Sequence, residues 1–520
     1  MEEETPEIIR QKSVLLAKED LELCSQRDYM HAPLSIVVLG ASGDLAKKKT
    51  YPALYDLYYH RYLPASSNIV GYARSSLSNE DFRLKIKAFL KNVQGTEADV
   101  DNFLSRCTYF SGSYDSTDDF SRLNTTLHEL ESNNQCGCTG SNRLFYFAIP
   151  PNVFIPAAAA ISQTAQSQQG WTRVVVEKPF GHDLASAVEM SHKLQALWRE
   201  EQIYRIDHYL GKEMVQNLTI FRFGNTFLEP LLNNRHVSVV KITFKEDFGT
   251  MGRGGYFDNY GIIRDIMQNH LMQVMTLVAM EPPVRVAGEG YPNFIRDSKV
   301  NVLRSIPPIR LSDVIIGQYV ANDKGDKGYL DDPTVPTSSN TPTFAQAVLR
   351  VHTPRWEGVP FIMKAGKALD ERKAEIRIQF KDPPAAGFLF DNQGCPRNEL
   401  VMRLQPTEAV YMKVNVKKPG LFTSMEQSEL DLSYHTRYPG VYSPDAYTRL
   451  ILDTLRGSQA TFVRSDELEA SWRIFDPLLK ELESSNKQPL PYIYGSRGPP
   501  EADEYAERLL TRNEQYSWAR

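Results

Sequence analysis

Cysteine is scarce in this 520-residue chain: five residues, Cys24, Cys107, Cys136, Cys138 and Cys395, an odd number thinly spread. No disulfide framework rests on so few, and a reducing compartment is expected. Cys136 and Cys138 form a C-x-C within SNNQCGCTGSN, but no second Cys or His pair follows at zinc-ligand spacing. No metal site is expected there, and the pair reads as spectator thiols ahead of a redox-sensitive loop. A long apolar run is missing too. The longest, Phe145 to Ile161, is cut by Pro150, Pro151, Asn152 and Pro156. It falls short of the ~20 uninterrupted apolar residues a spanning helix requires, so no membrane partner is expected. The first seven residues, MEEETPE, carry four acids, whereas signal peptides start basic and transit peptides are acid-poor. The final SWAR is not a peroxisomal tripeptide. A cytoplasmic location is the expectation.

Charge of one sign is also lacking: Lys+Arg 59 against Asp+Glu 64 leaves −5. That balance gives no drive towards nucleic acid or an anionic surface. Gly 30 and Pro 31 are too few for a collagen-like or wholly disordered chain. With 42% hydrophobic residues, what remains is a globular protein with two or three cores.

Residues 1–33 read as an arm. From Leu34 the pattern changes to SIVVLG, a continuous apolar run suited to a strand buried on both faces. NIVGYAR, RCTYFSG, RLFYFAIP and TRVVVEKPF repeat that signal with helical patterns between them. The alternation predicts a doubly wound, Rossmann-like α/β domain over 34–206. Further on, HVSVVKITFKED, EIRIQF, ELVMRLQP and AVYMKVNVKK alternate apolar and polar residues. Ile376, Ile378, Met402, Leu404, Met412 and Val414 would share one face, with Arg377, Arg403 and Lys413 on the other. The expectation over 207–520 is a larger α+β domain with a big antiparallel sheet.

Four motifs carry chemistry. Gly40-Ala41-Ser42-Gly43-Asp44-Leu45-Ala46-Lys47 follows a buried strand and opens a helix. Its glycines permit a tight turn and let backbone N–H groups approach a pyrophosphate at the helix N-terminus. The second strand ends in Arg74, where an NAD-preferring protein usually carries an acid for the ribose hydroxyls. Arginine suits a 2′-phosphate, so NADP is expected over NAD. In EKPFG, Lys178 and Pro179 follow the last buried strand, where open α/β sheets gather ligands. RIDHYLGK brings His208, Tyr209 and Lys212, donors for a phosphate monoester, together with Asp207. In IIRDIMQNHLMQVMTLV, Asp265, Asn269 and His270 interrupt an apolar helix and must be paired or used. On α-helical spacing Asp265 and His270 do not face each other, which makes Asp207 the better carboxylate partner for His270.

These strings, with FKEDFGTMGRGGYFD, GKALDERKAE, DAYTRLILD and YIYGSRGP, closely resemble the glucose-6-phosphate dehydrogenase family in kind and order from about Leu34 onward. The resemblance implies oxidation of β-D-glucose 6-phosphate at C1 to the 6-phosphoglucono-δ-lactone, with NADP as acceptor. It gives His270 the role of general base and Asp207 that of its carboxylate partner. Lys178, His208, Tyr209, Lys212, Glu246, Asp265, Lys367, Arg372 and Gln405 match substrate contacts. Gly40 through Lys47, Arg74 and Lys178 match the catalytic cofactor site. A second, structural NADP is implied on Lys364, Lys373, Arg377, Arg403, Tyr411, Lys413, Asp431, Arg497 and Trp518. Lys364 stands where some members carry arginine, and Phe154 where some carry a tyrosine near the cofactor. The family implies a homodimer or homotetramer. The competing class is a non-catalytic protein sensing NADP or a sugar phosphate on the same scaffold. A luminal hexose-6-phosphate dehydrogenase fused to a lactonase is a weaker competitor, since it needs a signal peptide and a further domain.

Overall fold

A computed structural model describes residues 28–91, 93–132, 140–390 and 395–511. Cys24, Cys136, Cys138, Trp518 and almost all of the arm lie outside them. The chain divides into two compact units. One runs to Gly211 and takes in Gly440–Leu468; the other holds Lys212–Pro439 and the chain from Glu469 on.

The first unit is built on six strands: β1 Leu34–Leu39, β2 Ser67–Ala73, β3 Cys107–Ser111, β4 Asn142–Phe147, β5 Thr172–Val176 and β6 Ile203–Arg205. They lie in the order β3-β2-β1-β4-β5-β6. Every pairing is parallel. All six residues of β1 and of β4 are buried, the burial their apolar runs demand with helices on both faces. This is the doubly wound dinucleotide topology, whose strand order reverses between β1 and β4.

Gly440–Leu468, expected in the second domain, instead completes the first core. Its helix Ala446–Arg456 starts on the Asp445 carboxylate, which accepts from the Tyr447 N–H at 2.9 Å, and stops at Gly457 with φ 77°. Tyr447, Leu450, Ile451, Thr454 and Leu455 recur at i, i+3, i+4, i+7 and i+8 and are all buried. Tyr447, Leu450, Ile451 and Leu455 join the cluster that holds Ile36, Val38, Leu54 and Tyr146. A fully buried leucine or isoleucine there contributes about 1.5–3 kcal/mol. Arg173 donates to the carbonyls of Thr454 and Leu455 at 2.7 and 2.8 Å, satisfying the helix end with a cation. The helix's apolar stripe was readable; its partner, some four hundred residues back in the chain, was not.

The second unit has nine strands: β7 Val237–Lys245, β8 Val314–Val320, β9 Phe344–Arg350, β10 Pro360–Gly366, β11 Lys373–Phe380, β12 Glu399–Gln405, β13 Ala409–Lys417, β14 Met425–Ser433 and β15 Leu490–Ile493. Their order is β14-β13-β12-β11-β7-β10-β9-β8-β15. The sheet is mostly antiparallel but mixed, because β7 pairs β10 and β8 pairs β15 in parallel. Ile376 stands opposite Met402 and Ile242, and Met402 opposite Val410, all of them core. One residue along, Arg377 stands opposite Lys241 and Val401, and Tyr411 opposite Val401 and Asp431. The period of two therefore sorts the sheet into an apolar face and a charged one.

Candidate functional site

In the first unit the predicted residues gather where the strands end. After β1, Gly40 takes φ +80°, and a Cβ there would sit 2.1 Å from the Ala148 carbonyl oxygen that follows β4. Only glycine fits this approach of two backbones. The Gly40 and Ala41 N–H groups donate to the Tyr72 carbonyl at 2.8 and 3.2 Å, and Gly43 N–H to the Gly40 carbonyl at 2.8 Å. The turn is thus fixed by the neighbouring strand before the helical chain Ala46–Thr50 and Tyr51–Tyr59 begins. Ser42 is half-buried beside it. Lys47 and Lys48 pair with Asp44 at 3.4 and 3.3 Å and hold its carboxyl below the usual value. Arg74, just past β2, is exposed, its guanidinium 5.7 Å from the centre of the Tyr114 ring. Phe154 is buried against Phe147.

After β5 come Glu177, Lys178 and Pro179, joined by a cis Lys178–Pro179 bond. After β6, the Asp207 carboxylate accepts from the Tyr209 N–H at 3.0 Å and its carbonyl from Leu210 N–H at 3.0 Å. That closes the turn His208–Gly211, in which His208 is half-buried and Tyr209 is buried. His208 stacks on Tyr447, rings 6.1 Å apart and 8° from parallel. Tyr447, on the returning helix, was not singled out from the sequence; only its place in DAYTRLILD marked it. Arg205, by contrast, is structural: it is buried and binds Glu200 at 2.6 Å.

Four of the predicted substrate residues meet in two pairs in the second unit. Lys212 Nζ donates to Gln405 Oε1 at 2.9 Å, across 193 residues of sequence. Lys367 Nζ meets Glu246 Oε2 at 2.5 Å, with the Phe257 ring 5.1 Å from the ammonium. Arg372 is exposed between β10 and β11 and joins neither pair. Asp265 and His270 lie on Ile263–Leu271, which is wound as a π-helix and runs on into the α-helix Met272–Ala279. This corrects the spacing argument. A π-helix closes i→i+5 hydrogen bonds, so residues five apart stand about one turn above each other. His270 is buried, and its N–H donates to Asn269 Oδ1 at 2.7 Å.

On the charged sheet face lies a cavity of about 450 Å³, lined by Lys364, Lys373, Arg377, Lys413 and Arg497 among others. Of the remaining residues predicted there, Tyr411 and Asp431 pair across β13 and β14, and Arg403 turns its guanidinium to the Thr407 carbonyl at 2.9 Å. Three acids were missed from the sequence. Glu375 binds Arg377 at 2.9 Å and Lys373 at 3.2 Å, Glu399 binds Arg377 and Lys413, and Asp503 binds Lys364 at 3.4 Å and Arg497 at 3.3 Å. Lys241 is pushed down to about 7, by burial first and the Arg377 charge second. The described cysteines do no chemistry in either region: Cys107 is buried, its thiol pushed up to about 12, and burial also raises Cys395.

A doubly wound sheet with a glycine turn at its switch point defines a dinucleotide-binding protein by class, here followed by a second unit built on a large mixed sheet. Residues 37–217 match the glucose-6-phosphate dehydrogenase NAD binding domain, and 219–519 the C-terminal domain of the same enzyme. The chain belongs to the glucose-6-phosphate dehydrogenase family. It is 54% identical over 490 residues to a cytoplasmic isoform of glucose-6-phosphate 1-dehydrogenase from Solanum tuberosum, covering 93% of each chain. The Dictyostelium discoideum glucose-6-phosphate 1-dehydrogenase is 52% identical, over 93% of this chain and 96% of that one. A solved glucose-6-phosphate dehydrogenase in complex with glucose 6-phosphate superposes with a TM-score of 0.88 at 47% identity, covering 94% of this chain and 99% of that one. The Mycobacterium avium enzyme follows at 0.79 and 31%, with the same coverage.

Proposed function

We propose that this chain oxidises β-D-glucose 6-phosphate at C1 to the 6-phosphoglucono-δ-lactone and reduces NADP, the NADPH-supplying step of the oxidative pentose phosphate route. One observation carries the reading: all but Asp265 and Arg372 of the residues expected to bind substrate and cofactor stand after the strands of a dinucleotide sheet or in the two pairs Lys212–Gln405 and Lys367–Glu246. When bound, NADP supplies the acceptor for the hydride leaving C1. The positive-φ turn at Gly40, from which a helical chain runs on, suits main-chain contact with a pyrophosphate, and the exposed Arg74 just past β2 supports recognition of a 2′-phosphate.

His270 takes the C1 hydroxyl proton and Asp207 stabilises the resulting imidazolium. Such base catalysis is worth about 10²–10⁴-fold. His208, Tyr209 and Lys212 hold the substrate phosphate; Lys178 serves substrate and cofactor; Glu246, Asp265, Lys367, Arg372 and Gln405 orient the sugar.

A second NADP on the charged sheet face fits the excess of Lys and Arg lining that cavity, and it has to share them with Glu375, Glu399 and Asp503. Assembly into a homodimer or homotetramer is supported by Leu421 and Phe422, between β13 and β14, and Leu430, on β14, which are 98, 83 and 63% exposed. A cytoplasmic location is supported by the naming of the Solanum and Arabidopsis relatives as cytoplasmic. Among the described residues no helix is long and apolar enough to cross a membrane. The test is glucose-6-phosphate-dependent reduction of NADP and NAD side by side. Turnover with NADP preferred is expected; nucleotide and sugar-phosphate binding without turnover would select the sensor reading.

A further inference from the structure

Of the EKPFG motif, the substrate and cofactor reading uses Lys178 and leaves Glu177 without a task. Glu177 is only 7% exposed at the end of β5. A carboxyl so placed needs a partner. It has one: the Tyr146 hydroxyl, on β4 and fully buried, donates to Glu177 Oε1 at 2.5 Å. The bond ties together the strands on one side of the switch point, at the level of the Gly40 turn. Each neighbouring element presents a group to this pair. Thr50 lies beside the Tyr146 hydroxyl, and Lys178 follows Glu177 in the chain. The Asp207 carboxylate acts on Glu177 from the end of β6, and Tyr447 stands within reach of both acids from the returning helix.

We propose that Glu177, held by the Tyr146 hydroxyl, is a positioning residue for proton abstraction: its carboxyl sets the negative field around Asp207, and through Asp207 the strength of the base. This rests on the dehydrogenase reading and adds a residue to it. Burial pushes the Glu177 carboxyl up to about 7 and the Asp207 charge adds to that, while the Tyr146 hydrogen bond and the Lys178 charge oppose it. Below that pH Glu177 is neutral and Asp207 is the one negative charge of the two. Above it Glu177 adds its charge to that of Asp207, and on the dehydrogenase reading the protonated base is stabilised further.

Glu177→Gln keeps an acceptor for Tyr146 and removes the charge. Its kcat should match wild type near pH 6 and fall about three- to tenfold below it by pH 8.5, the range for one charge several ångströms away in a partly screened site. The KM for glucose 6-phosphate should stay within about twofold at both pH values, because Lys178 keeps its turn. Tyr146→Phe removes the donor that favours the ionised form, so the same step should move to higher pH. A second readout needs no turnover. A carboxyl raised on folding binds its proton in the folded state between its unfolded value and about 7, so wild type loses stability as pH rises through that window. The melting temperature of Glu177→Gln relative to wild type should therefore rise between pH 5 and pH 8. A kcat ratio independent of pH in both variants, or a loss confined to KM, overturns the proposal, as does a melting difference that does not change with pH. If wild type itself forms no NADPH from glucose 6-phosphate, the dehydrogenase reading fails, while the melting experiment still reports on the Glu177 proton.

Discussion

The turn at Gly40–Gly43 and the cavity on the nine-stranded sheet both suit phosphates, but the first is made of main chain and the second of side chains. At the turn, conformation excludes a Cβ, and the hydrogen bonds that shape it run between backbone groups. In the cavity, lysines and arginines from β10, β11 and β13 face inward, and the acids Glu375, Glu399 and Asp503 hold them in place. A backbone cradle has little to rearrange when a ligand arrives. A charged cavity must exchange internal ion pairs for external ones, so its affinity is tied to salt and to the protonation of Lys241.

The comparison can be broken or sharpened by substitution, and the largest effect lies outside both regions. His270→Asn should lower kcat by about 10²–10⁴-fold with little change in substrate affinity. Unchanged nucleotide binding, read by calorimetry, would separate chemistry from both anion sites; retained turnover would reassign the base. Gly40→Val adds a branched side chain where φ is positive and a carbonyl already stands. Strain of about 1–3 kcal/mol implies roughly 5- to 150-fold weaker NADP binding at the turn, with the sheet cavity unaffected. Equal losses at both sites would mean that they are not independent.

Arg74→Asp should weaken NADP by about tenfold or more and leave NAD within about twofold, measured as a ratio of kcat/KM values. Equal losses would show that the turn alone chooses the cofactor. The smallest effect is expected from Arg377→Met. It removes one cation from the sheet cavity and leaves Glu375 and Glu399 less compensated. Binding stoichiometry should fall from two NADP per subunit towards one, with the initial rate nearly unchanged; one NADP in wild type would remove the second site.

Where a pattern is local, the chain declared its structure. SIVVLG announced β1 because a strand buried on both faces has no polar positions to spare. Arg377, Arg403 and Lys413 were placed off the core because alternation needs no partner to be read. Pairing is another matter. That β7 and β10 run parallel, or that Glu399 lies beside Arg377, depends on strands brought together over long separations. The π-helical winding of Ile263–Leu271 likewise escaped, since its apolar residues suit an α-helix equally well. Lys212 and Gln405 were each singled out, yet nothing in either neighbourhood announced the hydrogen bond that joins them.

The return of Gly440–Leu468 to the first core also bears on how the chain is made. A ribosome that has finished β6 has produced every strand of the first sheet, but not the helix that covers Leu54 and Tyr146. At about 5–20 residues per second, roughly ten to fifty seconds pass before Leu450 and Ile451 emerge. During that interval the newborn sheet presents an uncovered apolar surface. The first unit is thus first in sequence, yet its core is closed only by chain made more than two hundred residues later.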